Sequence, residues 1–166
     1  DVGIGNNVLI RDNILVERYV IEDAAVVTQN RKLPAERGTD FGIGKPIPVG
    51  PETGGREIKA YPEILLRDVV RLVRSPGDKE GQAKYTQALA RYLEAAKSDF
   101  GYIGPGAEVS GVADGKNLFV AEGGVVVDNT NVHNLLLLTA EGERTVVAGT
   151  SEIVNLIAQP GVEIIG

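Results

Sequence analysis

Cysteine, methionine and tryptophan are all missing from the 166 residues, and histidine occurs once. Without cysteine the chain has no disulfide framework, no thiol nucleophile and no thiolate metal site, which is compatible with a reducing, cytoplasmic compartment. Without methionine it has no initiator residue, so it reads as a processed or excised piece of something longer, or as an engineered one. The longest apolar run is Leu135–Leu138, far short of a membrane span, and no signal peptide is evident, so no membrane partner is expected. Aromatics are only 5% against 21 glycines, which predicts many turns and a core of small branched side chains. The net charge of −6 argues against nucleic acid, because phosphate contacts need a basic surface. What remains is the composition of one ordinary globular domain.

The positive signal is a repeat. Across residues 2–30, Val2, Val8, Ile14, Val20 and Val26 form one apolar series, and Ile4, Ile10 and Val16 a second, with polar pairs such as Asn6-Asn7 and Asp12-Asn13 between. A helix repeats about every 3.6 residues and cannot hold that register. Short strands with inward side chains, joined by polar corners at every sixth position, can; that is the pattern of a parallel β-helix. Ile21 comes one residue early for the second series, which indicates an adjusted corner. The competing reading is a run of ordinary short strands.

Residues 31–61 are polar, with prolines at 34, 46, 48 and 51, and read as a loop excursion. Residues 62–97 change period. Leu65, Leu66, Val69, Leu72 and Val73 make one helical stripe, and Tyr85, Ala88, Leu89, Tyr92, Leu93 and Ala96 a second, so this insertion reads as an α-helical hairpin. From 102 to 166 the hexads return: Ile103, Ala107 and Val109 are inward, then Val120, Val126, Val132 and Leu138, with Gly124, Thr130 and Leu136 in the second slot.

Ile4-Gly5 with Val8, and Ile103-Gly104-Pro105-Gly106-Ala107, resemble the hexapeptide-repeat superfamily of left-handed β-helices. The segments "LIRDNILVERYVIEDAAVV", "ETGGREI" and "SDFGYIGPGAEV", in that order, look like one uncharacterised bacterial family over residues 2–140. Its members are often labelled as relatives of sugar-nucleotide pyrophosphorylases or mannose-1-phosphate guanylyltransferases. The resemblance implies a mainly β fold, a left-handed parallel β-helix with an inserted α-helical hairpin. It also implies a sugar-nucleotide-linked transferase, nucleotidyl- or acyltransferase-like, assembled as a homo-oligomer (a trimer). Its ligand would be a sugar phosphate, a nucleotide sugar or an acyl-CoA. The glycine-rich nucleotide signature of nucleotidyltransferases is absent from this sequence. The alternative is a non-catalytic scaffold for oligomerisation.

Few residues offer chemistry. His133 follows the inward Val132, so on an alternating strand it points outward. Hexapeptide acyltransferases use such a histidine as general base, and Asn129, Asn131 and Asn134 lie beside it; the aspartate partner of the fuller motif is missing from the neighbouring sequence. Otherwise His133 is a surface histidine among asparagine corners. Gly54 and Gly55 with Arg56 could form an anion-binding nest and clamp, although a simple turn is the plainer reading. Arg67, Arg71 and Arg74 line the far side of the first helix, either as an anion site or as a solvated face. The acids Asp12, Glu17, Glu22 and Asp23 lack ligating neighbours, so no metal and no cofactor are expected.

Overall fold

The computed structural model describes residues 1–49 and 57–166. Gly54, Gly55 and Arg56 lie outside the described residues. In chain order the elements are β1 (Val2–Ile4), β2 (Leu9–Arg11), β3 (Leu15–Glu17), β4 (Tyr19–Ile21), β5 (Val26–Thr28), β6 (Lys32–Pro34), β7 (Pro46–Pro48) and β8 (Glu57–Lys59). The helices α1 (Leu66–Arg74) and α2 (Lys79–Ala96) follow. Then come β9 (Gly101–Ile103), β10 (Glu108–Ser110), β11 (Asp114–Val120), β12 (Val125–Val127), β13 (Asn131–Leu137), β14 (Val146–Ala148), β15 (Glu152–Ala158) and β16 (Glu163–Ile165). The chain divides into a β-rich unit, Asp1–Gly42 with Ser98–Gly166, and a helical unit, Ile43–Lys97.

Among the described residues of the β-rich unit, every strand ladder is parallel, and each strand lies on its counterpart in the next pass of the chain. Val2 pairs with Tyr19, Asp114 with Asn131 and Asn131 with Glu152, offsets of 17 residues and, around the longer 138–145 loop, of 21. One sheet runs β1-β4-β9-β11-β13-β15 with β3 and β6 attached, and a second runs β16-β14-β12-β10-β5-β2. This confirms the expectation of a mainly β fold of stacked parallel strands with two helices inserted.

The repeat is 17 rather than 18 because one corner is a single left-handed residue. Arg18, Asn117, Asn134 and Asn155 occupy that corner in the passes that run through it without interruption, at φ near +57° in each case (56°, 56°, 58° and 57°). Asparagine is among the residues that tolerate this conformation best. The shortened corner shifts the frame by one residue, which accounts for the early Ile21. Tyr19 and Ile21 are buried and Val20 is not; likewise Leu135 and Leu137 are inward. The six-residue series therefore misplaced Val20, Val26 and Leu136, which occupy the other side of their strands. Leu136 is nonetheless covered, at 5% exposure.

The core consists of columns of aliphatic side chains, including Val27, Val109 and Val126 in one and Leu118, Leu135 and Leu156 in another, with Leu33 filling the space at Gly115. It admits one large residue, Tyr19, whose hydroxyl accepts a hydrogen bond from the Leu118 amide at 3.2 Å. Burial raises the Tyr19 pKa well above the ordinary phenol value. Space for its ring depends on Gly101 in the next pass, where a Cβ would come within 2.3 Å of the ring.

Two sets of asparagines tie passes together. Inside one corner, Asn30 donates from Nδ2 to Asn13 Oδ1 (2.8 Å) and to the Val109 carbonyl (3.0 Å), and its Oδ1 accepts from Val112 N (2.9 Å). Asn129 repeats the arrangement, donating to the Val127 and Val147 carbonyls and accepting from the Thr150 amide. At the outer corner, Asn117 donates to Asn134 (2.9 Å) and Asn134 to Asn155 (2.8 Å).

In the helical unit, β7 and β8 pair antiparallel. Asp78 caps α2 by accepting from Gly81 N at 2.9 Å and also receives Arg71 Nε at 2.7 Å; the cap bond first, then the arginine, lower its pKa. Tyr61 stacks on Tyr92 with ring centroids 5.3 Å apart, and desolvation raises its pKa. Of the expected first stripe only Leu72 is buried; Val69 and Val73 are half-buried and Leu65 and Leu66 exposed, as is Val70 outside it. The α1–α2 gap holds an open cleft of about 240 Å³ lined by Tyr61, Asp68, Arg71, Leu72, Lys84 and Tyr85 among others, so α1 turns only one edge inward.

Candidate functional site

The outward face of β3, β6, β11, β13 and β15 gathers the polar residues worth considering. Side chains alternate across a strand, so residues in register form outward columns. One column runs Leu15, Lys32, Asp114, Asn131 and Glu152. Its neighbour contains Lys116, His133 and Val154. His133 therefore sits on the outward side, as its place after the inward Val132 predicts.

His133 is 36% exposed, and its Nε2 lies 3.8 Å from Asp114 Oδ1. That is an ion-pair distance once the ring is protonated, and too long for a hydrogen bond. Nε2 is nevertheless shielded from solvent and has no hydrogen-bond partner among the described residues. An orphaned buried nitrogen costs about 1–3 kcal/mol, and such groups in native proteins call for a reason. Beside the ring, Lys116 pairs with Glu36 at 2.8 Å. This hydrogen bond, ahead of smaller contributions, holds the Glu36 carboxyl below its ordinary range.

The preceding pass places an aspartate, Asp114, beside His133. Asp114-Gly115-Lys116 lies over Asn131-Val132-His133, a juxtaposition that the 17-residue offset encodes and that reading along the chain does not. Gly115 is inward, where a Cβ would come within 2.5 Å of the Leu33 side chain.

The other sequence candidates fall apart spatially. Asn131 joins the site column between Asp114 and Glu152. Asn134 faces the outer corner, its carboxamide engaged on both sides by Asn117 and Asn155. Asn129 is buried and fully engaged by backbone and Thr150. Arg71 is taken by Asp78. No group of three or more His, Cys, Asp or Glu side chains that could hold a metal occurs among the described residues. A larger open cleft of about 730 Å³ lies elsewhere, around Glu122, Thr139, Glu141, Glu143 and Arg144 on the 138–145 loop. No described helix is long and apolar enough to cross a membrane.

Parallel strands in register, a helical insertion and an outward His–Asp pair together define a mainly β protein with one polar face of chemical interest. The chain belongs to the family described as "Domain of unknown function (DUF4954)", whose model matches residues 1–165. No curated protein and no solved structure matches it.

Proposed function

We propose that the stacked passes are coils of a left-handed parallel β-helix and that the chain is the β-helix portion of a sugar-nucleotide-linked transferase of acyltransferase type. The observation that supports this is the shielded, unpartnered His133 Nε2 turned toward Asp114. In this reading Asp114, at ion-pair distance from Nε2, favours a proton there and leaves Nδ1 as the acceptor. The neutral imidazole takes the proton of an acceptor hydroxyl or amine as that atom attacks the acyl carbonyl, and Asp114 stabilises the imidazolium so formed. The thiol of the acyl donor then departs with a proton. Asn131 and Lys116 border the place where such a substrate would lie. An open sheet face becomes a groove only when a second copy covers it, so a homo-oligomer, a trimer on the resemblance, is part of the proposal.

The asparagine sets favour a second reading, a non-catalytic scaffold, because they spend polar side chains on joining coils, with Asn129 saturated and Asn134 held at both ends of its carboxamide. Calorimetry of the oligomer with UDP-N-acetylhexosamines and acyl-CoA separates the two. The transferase reading expects heat with at least one of them, and a turnover that falls at least a hundredfold in His133→Ala. No heat with any leaves the scaffold; turnover that survives His133→Ala removes the histidine as the base.

A further inference from the structure

The helical unit differs from the rest in charge. Ile43–Lys97 holds ten basic and seven acidic residues, while the remaining sequence holds seven and sixteen. The excess of base is concentrated on α1. Leu66, Val70 and Val73 are spaced i, i+4, i+7 along one side, and Arg67, Arg71 and Arg74 repeat that spacing one residue behind, so an apolar stripe and an arginine stripe run side by side. Both face solvent. Leu66 is 79% exposed and Val70 39%, with Leu65 extending the apolar patch beyond the start of the helix. Arg67 and Arg74 are exposed and pair with no acid among the described residues, whereas Arg71 is shared with Asp78.

We infer that this face of α1 docks on an anionic lipid surface. Water-exposed leucine and valine beside unpaired arginines fit an interface where alkyl side chains enter the headgroup boundary and guanidinium groups meet phosphates. Aliphatic side chains beside arginines are the makeup of a helix that lies in a headgroup interface. No described helix is long and apolar enough to cross a membrane, which says nothing against one lying flat. Such peripheral attachment departs from the expectation of no membrane partner.

Cosedimentation of the full chain with vesicles of phosphatidylcholine alone, and of phosphatidylcholine with phosphatidylglycerol in equal parts, tests this. Binding is expected only on the anionic vesicles and should be released as salt shortens the screening length from about 10 Å to about 3 Å. Arg67→Glu with Arg74→Glu should weaken partitioning about thirtyfold. Leu66→Glu should also abolish it, with the circular dichroism spectrum unchanged in each variant. Arg31→Glu with Arg37→Glu, which alters net charge equally, should cost less than about threefold, since these arginines lie on the β-rich unit. Equal binding to both vesicle types, binding to neither, or equal loss in the two double variants overturns the inference. So does salt-sensitive self-association without vesicles that Leu66→Glu abolishes, because a second copy would then be the occupant.

Discussion

The β-rich unit and the helical unit bury apolar side chains by different rules. In the first, each inward residue is covered by its counterparts in the passes on either side. Val27 and Val109 are completely buried, while Ile10, covered on one side only, is 39% exposed. Burial there is a property of stacking, so every interior pass repeats it. In the second, two helices meet along one line. Leu72 and Leu89 are buried at it, while Leu65 and Leu66 of the α1 stripe remain in water and Val69 and Val73 are only half covered. An amphipathic pattern thus guarantees an apolar face but not a partner for it.

The sharpest way to break this comparison is to truncate one leucine in each unit. Leu118 is completely buried, stacked in register on Leu135, whereas Leu66 is 79% exposed. Leu118→Ala should cost about 3 kcal/mol, within the usual range for a core leucine. Leu66→Ala should change stability by less than about 0.5 kcal/mol. Urea denaturation followed separately by strand and helix signals checks both. A large loss for Leu66→Ala would mean that α1 is covered in solution and that the contrast between the units is false.

The same contrast governs what could be read from the sequence. The hexads revealed the stacked strands and the change of period revealed the hairpin, because both patterns are local and each has one period. The single-residue corners at Arg18 and Asn134 were hidden, since a left-handed φ leaves no mark beyond the slip at Ile21. That slip moved Tyr19 from a supposed polar corner into the core, where Gly101, 82 positions away, makes room for it. His133 was legible as an outward residue. Its aspartate was not, because Asp114 is a neighbour only after the 17-residue offset is known. Leu65 and Leu66 were legible as part of one helical stripe, but exposure depends on what packs there, which no pattern along α1 states.

A smaller effect sharpens the comparison within the β-rich unit. Asn30 is 1% exposed with its carboxamide satisfied by Asn13, Val109 and Val112, so Asn30→Ala strands buried backbone groups and should cost about 2 kcal/mol. Asn134 makes equally short amide bonds at a wetter corner, and its φ of 58° suits glycine. Asn134→Gly should therefore cost less than about 1 kcal/mol, and Asn134→Ala about 1 kcal/mol more through backbone strain alone. Thermal unfolding of the three variants ranks them. If Asn134→Gly proves as costly as Asn30→Ala, the outer ladder is as essential as the inner one, and burial is not what sets the value of an amide here.

The smallest effect belongs to the exterior pair Glu36–Lys116, joined at 2.8 Å with Glu36 60% exposed. Its hydrogen bond to Lys116 lowers the folded-state pKa of Glu36. A carboxylate depressed on folding contributes stability above its unfolded value, about 4.3, and loses it as pH falls through the lower folded value. Lys116→Met should therefore destabilise by about 0.5 kcal/mol or less at neutral pH, and the difference should vanish in strong acid. Stability measured across that range checks the sign. A difference that grows as pH falls would point to a protonated partner of Lys116 in place of the Glu36 carboxylate. Because Lys116 also borders His133, the same variant measured for turnover separates a surface tether from a residue that positions the substrate: only the second role alters KM while the melting curve stays put.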